Sequence, residues 1–157
     1  PALVKWFADR AIGAGTAAGR EMSSYQIMAA APVWTGDMHI GREQTRWFPA
    51  MVGNHVADIV EKYGMDDPTI PQSFTAYIQG RKGYDYKDHA SKDADHLGFI
   101  SDEVVDSFAI IGTPEQHVAK LKQLEAVGVT QFNIYLMCGD EERILADYAE
   151  HVLPHFQ

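Results

Sequence analysis

The 157-residue sequence predicts an α/β fold organised as a single unit over residues 1–157. Three observations lead there. Helix-like and strand-like segments alternate along the chain. The run from Tyr25 to Trp34 is mostly apolar on both faces, as a parallel strand covered by helices is. The stretch Gly112-Thr113-Pro114-Glu115-Gln116 carries dense helix-start chemistry directly after a short extended run. Only two clear strands are legible, far apart in the chain. That is too little β structure for a complete α/β domain.

The elements follow in order. Residues 1–19 read as a helix: Pro1 suits a first helical position, Leu3, Trp6 or Phe7, and Ala11 recur at helical steps, and Gly19 fits the carboxyl end. The strand from Tyr25 to Trp34 ends in a Thr35-Gly36-Asp37 turn. Trp47, Phe48, Met51, Val52, Val56, Ile59, Val60 and Tyr63 form one wide apolar stripe over residues 42–63, with a kink or break expected near Pro49. A shorter helix is expected from Pro71 to Gln79. Residues 80–98 are polar, charged and aromatic without a clear period, which predicts a long loop of the kind that carries function.

Asp102 to Asp106 is a short helix candidate, and Ser107 to Ile111 a short extended run. Thr113 is an N-cap, Pro114 opens the helix, and Thr113 with Gln116 forms a capping box. Val118, Leu121, Leu124 and Val127 make the buried stripe of that helix, and His117, in its first turn, is expected to be exposed. A strand follows from Gln131 to Met137, then a helix from Asp140 to Val152, stopped by Pro154.

Composition narrows the function classes. The chain is 46% hydrophobic and 22% charged, so it is a globular rather than a disordered sequence. Its net charge is −9, with no basic stripe, which argues against a nucleic-acid partner. No apolar run reaches the roughly 18 residues of a membrane span, and nothing at the amino end reads as a signal peptide. Cys138 is the single cysteine, which suits a reducing, cytoplasmic compartment.

Three segments, taken together and in order, carry a family resemblance. They are Phe108 to Val118 with Ala126 to Phe132, Arg46 to Val56, and Gly83 to His89. The first looks like the Gly-Thr-Pro-Glu and Ala-Gly-Val signature of the luciferase-like oxidoreductase superfamily. The other two resemble its deazaflavin (coenzyme F-420)-dependent branch. The resemblance implies a partial (β/α)8 TIM barrel, the chain matching the carboxyl-terminal half, with Tyr25 to Trp34 as the seventh strand and Gln131 to Met137 as the eighth. It also implies a flavin- or deazaflavin-dependent oxidoreductase or monooxygenase, with FMN and deazaflavin both open, acting on a small organic substrate. The first six strands have no counterpart. This chain alone is then either inactive, lacking its amino-terminal half, or a homo-oligomer that buries exposed barrel-core faces as a non-catalytic module.

Site residues follow from what such a cofactor needs: an apolar slot for the ring, donors for a phosphate, and exclusion of water. Barrels place these at the carboxyl ends of strands. Trp34 and Thr35 are candidates there. In the polar loop, Arg81 and Lys82 suit a phosphate or polyanionic tail, Tyr84 and Tyr86 complete the binding set, and His89 is the candidate proton-transfer group, oriented by Asp85 or Asp88. The carboxylates and histidines from Asp85 to His96 match no metal-ligand spacing. His55, beside an apolar stripe, reads as a satisfied interface histidine, and Cys138, with no paired base, as a buried thiol.

Overall fold

The computed structural model describes residues 1–80 and 100–157. Helix α1 runs over Ala2–Ala17 and strand β1 over Met28–Thr35. Helices α2 (Met38–Thr45), α3 (Trp47–Tyr63), α4 (Gln72–Gly80) and α5 (Asp102–Phe108) follow. Strand β2 (Ile110–Gly112), helix α6 (Pro114–Ala126), strand β3 (Gln131–Tyr135) and helix α7 (Glu141–Asp147) complete the order. A π-helical turn, Tyr148–Val152, and a 3-10 turn, Leu153–Phe156, end the chain.

The sheet corrects the two-strand expectation. It has three parallel strands in the order β2-β1-β3. The extended run before Gly112 supplies the third: Ile110, Ile111 and Gly112 pair with Val33, Trp34 and Thr35. On the other side, Met28 to Pro32 pair with Gln131 to Tyr135. Strand β2 is only three residues long, too short for a hydrophobic period to reveal it. Such a small parallel sheet among many helices is compatible with part of a barrel. Among the described residues no helix is long and apolar enough to cross a membrane.

Local chemistry accounts for most boundaries. The break expected near Pro49 falls at Arg46, between α2 and α3, and Pro49 sits in the first turn of α3, where a missing N–H costs nothing. Helix α2 begins where the Asp37 carboxylate accepts from the Ile40 N–H at 2.9 Å. The capping box of α6 forms as read, with the Gln116 side chain accepting from the Thr113 N–H at 2.8 Å. Gly128, at a φ of 97°, follows α6 in the left-handed region. Pro154 lies inside the terminal 3-10 turn instead of stopping the preceding helix. The helix expected from Asp140 to Val152 has already loosened into the π turn at Tyr148.

Two main packing centres result. One is helical: Trp6, Val60, Phe74, Tyr77 and Val105 are buried together with Ile70 and Ile100. The other holds Val33 and Ile110 of the sheet against Val118, Leu124, Ile144, Tyr148 and Val152. Ala31 joins Trp47 and Phe48 in a smaller cluster, which brings α3 onto β1. Arg42 and Arg46 tie α2 and its exit to α5. Arg42 donates from Nε and Nη2 to the two carboxylate oxygens of Asp106 at 2.9 and 2.6 Å, and Arg46 pairs with Asp102 at 2.6 Å. The Arg46 bond holds the Asp102 carboxyl below its ordinary pKa.

Two outcomes follow from this packing. Gly41 is buried with Trp34 against it, and an added Cβ would stand 2.8 Å from the Trp34 ring. Gly41→Ala should therefore lower stability by about 1–3 kcal/mol in urea denaturation. Asp67 accepts from the Thr69 hydroxyl (2.6 Å), the Thr69 N–H (3.0 Å) and the Trp6 indole (2.8 Å), which lower its pKa from 3.8 to about 2. A depressed carboxylate stabilises the fold above its unfolded pKa and stops doing so as pH falls. Stability should thus decline as pH drops from 3.8 towards 2, and Asp67→Asn should flatten that decline in acid-titrated unfolding curves.

Candidate functional site

The parallel strands all end at one edge of the sheet, and there the polar side chains gather. Strand β1 delivers Trp34 and Thr35, then turns at Gly36, whose N–H donates to the Gly112 carbonyl at 2.8 Å. The φ values of Gly36 and Gly112, 114° and 129°, are ones L side chains rarely adopt. The two strand ends are thereby stitched at their tips. Beyond β3, Gly139 and Asp140 are both left-handed, at 72° and 59°, and turn the chain into α7.

Thr35 is buried, and its hydroxyl is shared by two side chains of α7. Arg143 Nη1 donates to the Thr35 carbonyl (2.9 Å), the Thr35 Oγ1 (2.8 Å) and Asp147 (2.9 Å). The Thr35 hydroxyl donates in turn to Asp147, and Arg143 Nε to Asp140. Positions 143 and 147 are one helical turn apart, so both reach the same strand end. Arg143 remains partly exposed and its guanidinium lies over the Trp34 ring, 5.1 Å from the centroid. Among the described residues its hydrogen bonds use Nε and Nη1, and none uses Nη2.

Beneath this clip lies a buried histidine. His117 is fully enclosed, which overturns the exposed first-turn placement. Its Nε2 stands 3.0 Å from the Trp34 carbonyl, and its Nδ1 2.8 Å from the Tyr148 hydroxyl. A carbonyl only accepts, so Nε2 carries the hydrogen and Nδ1 accepts from Tyr148. Burial lowers the His117 pKa and raises that of Tyr148, so both stay neutral. The hydrophobic stripe of α6 already held the clue: His117 lies four residues before Leu121 and seven before Leu124, on the inward face.

Of the residues singled out from the sequence, the strand-end pair is brought into this site. Trp34 is half-buried, packed on Gly41 and against the sheet's core cluster. Thr35 has its hydroxyl engaged by α7. Arg81, Lys82, Tyr84, Tyr86 and His89 lie outside the described residues, as do the carboxylates and histidines from Asp85 to His96. Among the described residues no three His, Cys, Asp or Glu side chains converge as a metal site would require. Cys138 is buried, with its sulfur 4.0 Å from the Tyr135 carbonyl. His55 is exposed on α3. Sequence reading missed the Thr35–Arg143–Asp147 clip, because its members lie more than a hundred residues apart, 112 between Thr35 and Asp147.

A family model described as luciferase-like monooxygenase matches residues 1–131. The chain is also similar to a 5,10-methylenetetrahydromethanopterin reductase of Methanopyrus kandleri, 26% identical over 100 residues. That match covers 63% of this chain and 26% of the reductase, so the chain spans about a quarter of its relative's length. No solved structure matches.

The buried histidine gives a direct test. His117→Phe strips partners from the Trp34 carbonyl and the Tyr148 hydroxyl, and should cost about 1–3 kcal/mol in equilibrium unfolding. Because burial depresses the His117 pKa, its neutral form stabilises the fold fully above the ordinary value of 6.5. That contribution is lost as pH falls below 6.5 towards the folded-state value, since the unfolded chain binds the proton more readily. The wild-type chain should show this loss and the Phe variant should lack it.

Proposed function

The chain belongs to the luciferase-like monooxygenase family, and on that premise we propose that it forms the carboxyl-terminal part of a (β/α)8 oxidoreductase. The parent enzyme binds a flavin or deazaflavin (FMN or coenzyme F-420) and passes hydride or electrons between it and a small organic substrate. The observation that carries this reading is the family match over residues 1–131 to a chain whose parallel strands end together beside an aromatic ring and a partly exposed guanidinium. Strand ends of this kind are where barrel enzymes bind cofactors.

The residues at this edge fit such a group. Trp34 supplies an aromatic surface against which a ring system can lie, and the partly exposed Arg143 guanidinium stands beside it, with Nη2 making no hydrogen bond among the described residues. An added Cβ at Gly36 or Gly139 would meet nothing within 4 Å, so both turns leave open space at the strand ends. When bound, the cofactor supplies the redox chemistry. The chain's own part is to hold it: Trp34 flanks the ring, Arg143 pairs with a phosphate through Nη2, and Thr35 with Asp147 fixes the guanidinium in place. Arg81, Lys82, Tyr84, Tyr86 and His89 complete the proposed set from the polar loop, with His89 as proton-transfer group.

The non-catalytic alternative draws on a separate observation. The outer edge of β3 pairs with no strand among the described residues, and Tyr135 and Met137, at and just beyond its carboxyl end, are exposed. Such an edge is a template for a second copy.

Titration of the chain with FMN and with the F-420 deazaflavin, followed by cofactor fluorescence, tests the leading reading. Binding of either is expected, weakened about tenfold in Arg143→Met, as loss of a charge-assisted hydrogen bond implies. Absence of binding to both, together with a concentration-independent oligomer in light scattering, would replace it with the assembly module.

A further inference from the structure

A second concavity lies at the opposite end of β1 from Thr35. It is a groove of about 540 Å3 running along Met28 to Ala31, on the side of β1 that β2 does not reach. That volume is within the usual range of small-molecule sites, about 300–1,000 Å3. Its walls are mostly apolar, with aromatic rings among the aliphatic side chains: Phe7 from α1, Tyr25 ahead of β1, Phe48 from α3, Phe108 at the end of α5 and Phe132 from β3.

One cation interrupts this lining. Lys120 of α6 reaches both the groove and an adjoining pocket of about 210 Å3. It is half-buried, and burial lowers its pKa, with Asp106 opposing the shift from a distance. Asp106 is not its direct partner, because both carboxylate oxygens of Asp106 accept from Arg42. Among the described residues Lys120 has no ion pair and no hydrogen bond. Among the described residues the Lys120 charge in the groove therefore has no counter-ion, in a setting where an unpaired charge is costly.

We propose that this groove binds an aromatic carboxylate. Its ring system packs among Phe7, Phe48, Phe108 and Phe132, and its carboxylate pairs with the Lys120 ammonium. Flat rings of this size gain from offset and edge-on contacts with phenylalanines, and a single buried ammonium selects an anion over a neutral analogue of equal shape. The site is separate from the strand-end cofactor site, and each stands or falls without the other.

Isothermal titration of the chain with 2-naphthoate and with neutral 2-naphthylmethanol at neutral pH tests the assignment. The carboxylate should bind about tenfold more tightly than the alcohol. Lys120→Met should abolish that preference while leaving alcohol binding unchanged, and Lys120→Arg should keep it. Equal affinity for both ligands overturns the proposal, as does a preference that survives in Lys120→Met. Failure of naphthoate to bind also overturns it, whether the groove is open or light scattering shows a second copy covering it.

Discussion

The structure depends on how strand β1 is held. Among the described residues it is the one strand of the sheet with neighbours on both sides, and each neighbour pairs with a different half of it. Its carboxyl end is then fixed a second time by side chains. His117 of α6 takes the Trp34 carbonyl, Arg143 of α7 takes the Thr35 carbonyl, and Asp147 takes the Thr35 hydroxyl. A buried strand end has backbone acceptors that water cannot reach, so partners of this kind are obligatory. Here they come from helices that start at the same edge, so one set of bonds both satisfies the strand and orients the helices.

The division of labour along β1 follows from this. At its carboxyl half the strand is paired by β2, capped by charged groups and flanked by Trp34. At its amino half one side is left to an apolar groove, because β2 is too short to cover it. The two ends thus have opposite chemistry, one polar and clipped, the other largely apolar and reached by Lys120. The helical cluster around Trp6, Phe74 and Val105 packs apart from both, joined to the sheet through α3 and α5. The Arg42–Asp106 and Arg46–Asp102 pairs lie at that junction, partly exposed, and serve registration more than stability.

Most helices and both longer strands were legible in the sequence because each depends on chemistry within a few residues. The Thr113 to Gln116 capping box, the stripe from Trp47 to Tyr63 and the apolar run into Trp34 are of this kind. The break at Arg46 and the loosening at Tyr148 displaced boundaries, and β2 needed a partner strand to exist at all. His117 was misplaced because its position at a helix start was weighed above its place on the α6 stripe. In the candidate site, the position of Trp34 and Thr35 at a strand end was legible in the sequence. Arg143 and Asp147 were not, since nothing local to α7 says that its first turns face Thr35.

The sequence by itself determined the family, the acidic and globular character, and which segments form helix and strand, since these rest on motif, composition and short-range periodicity. Only the tertiary structure decided the strand order β2-β1-β3, the burial of His117 with Tyr148, the clip on Thr35, and the placing of Lys120 at an apolar groove. Each of those depends on which distant segments meet, and that is set by packing the whole chain around β1, not by any stretch of it.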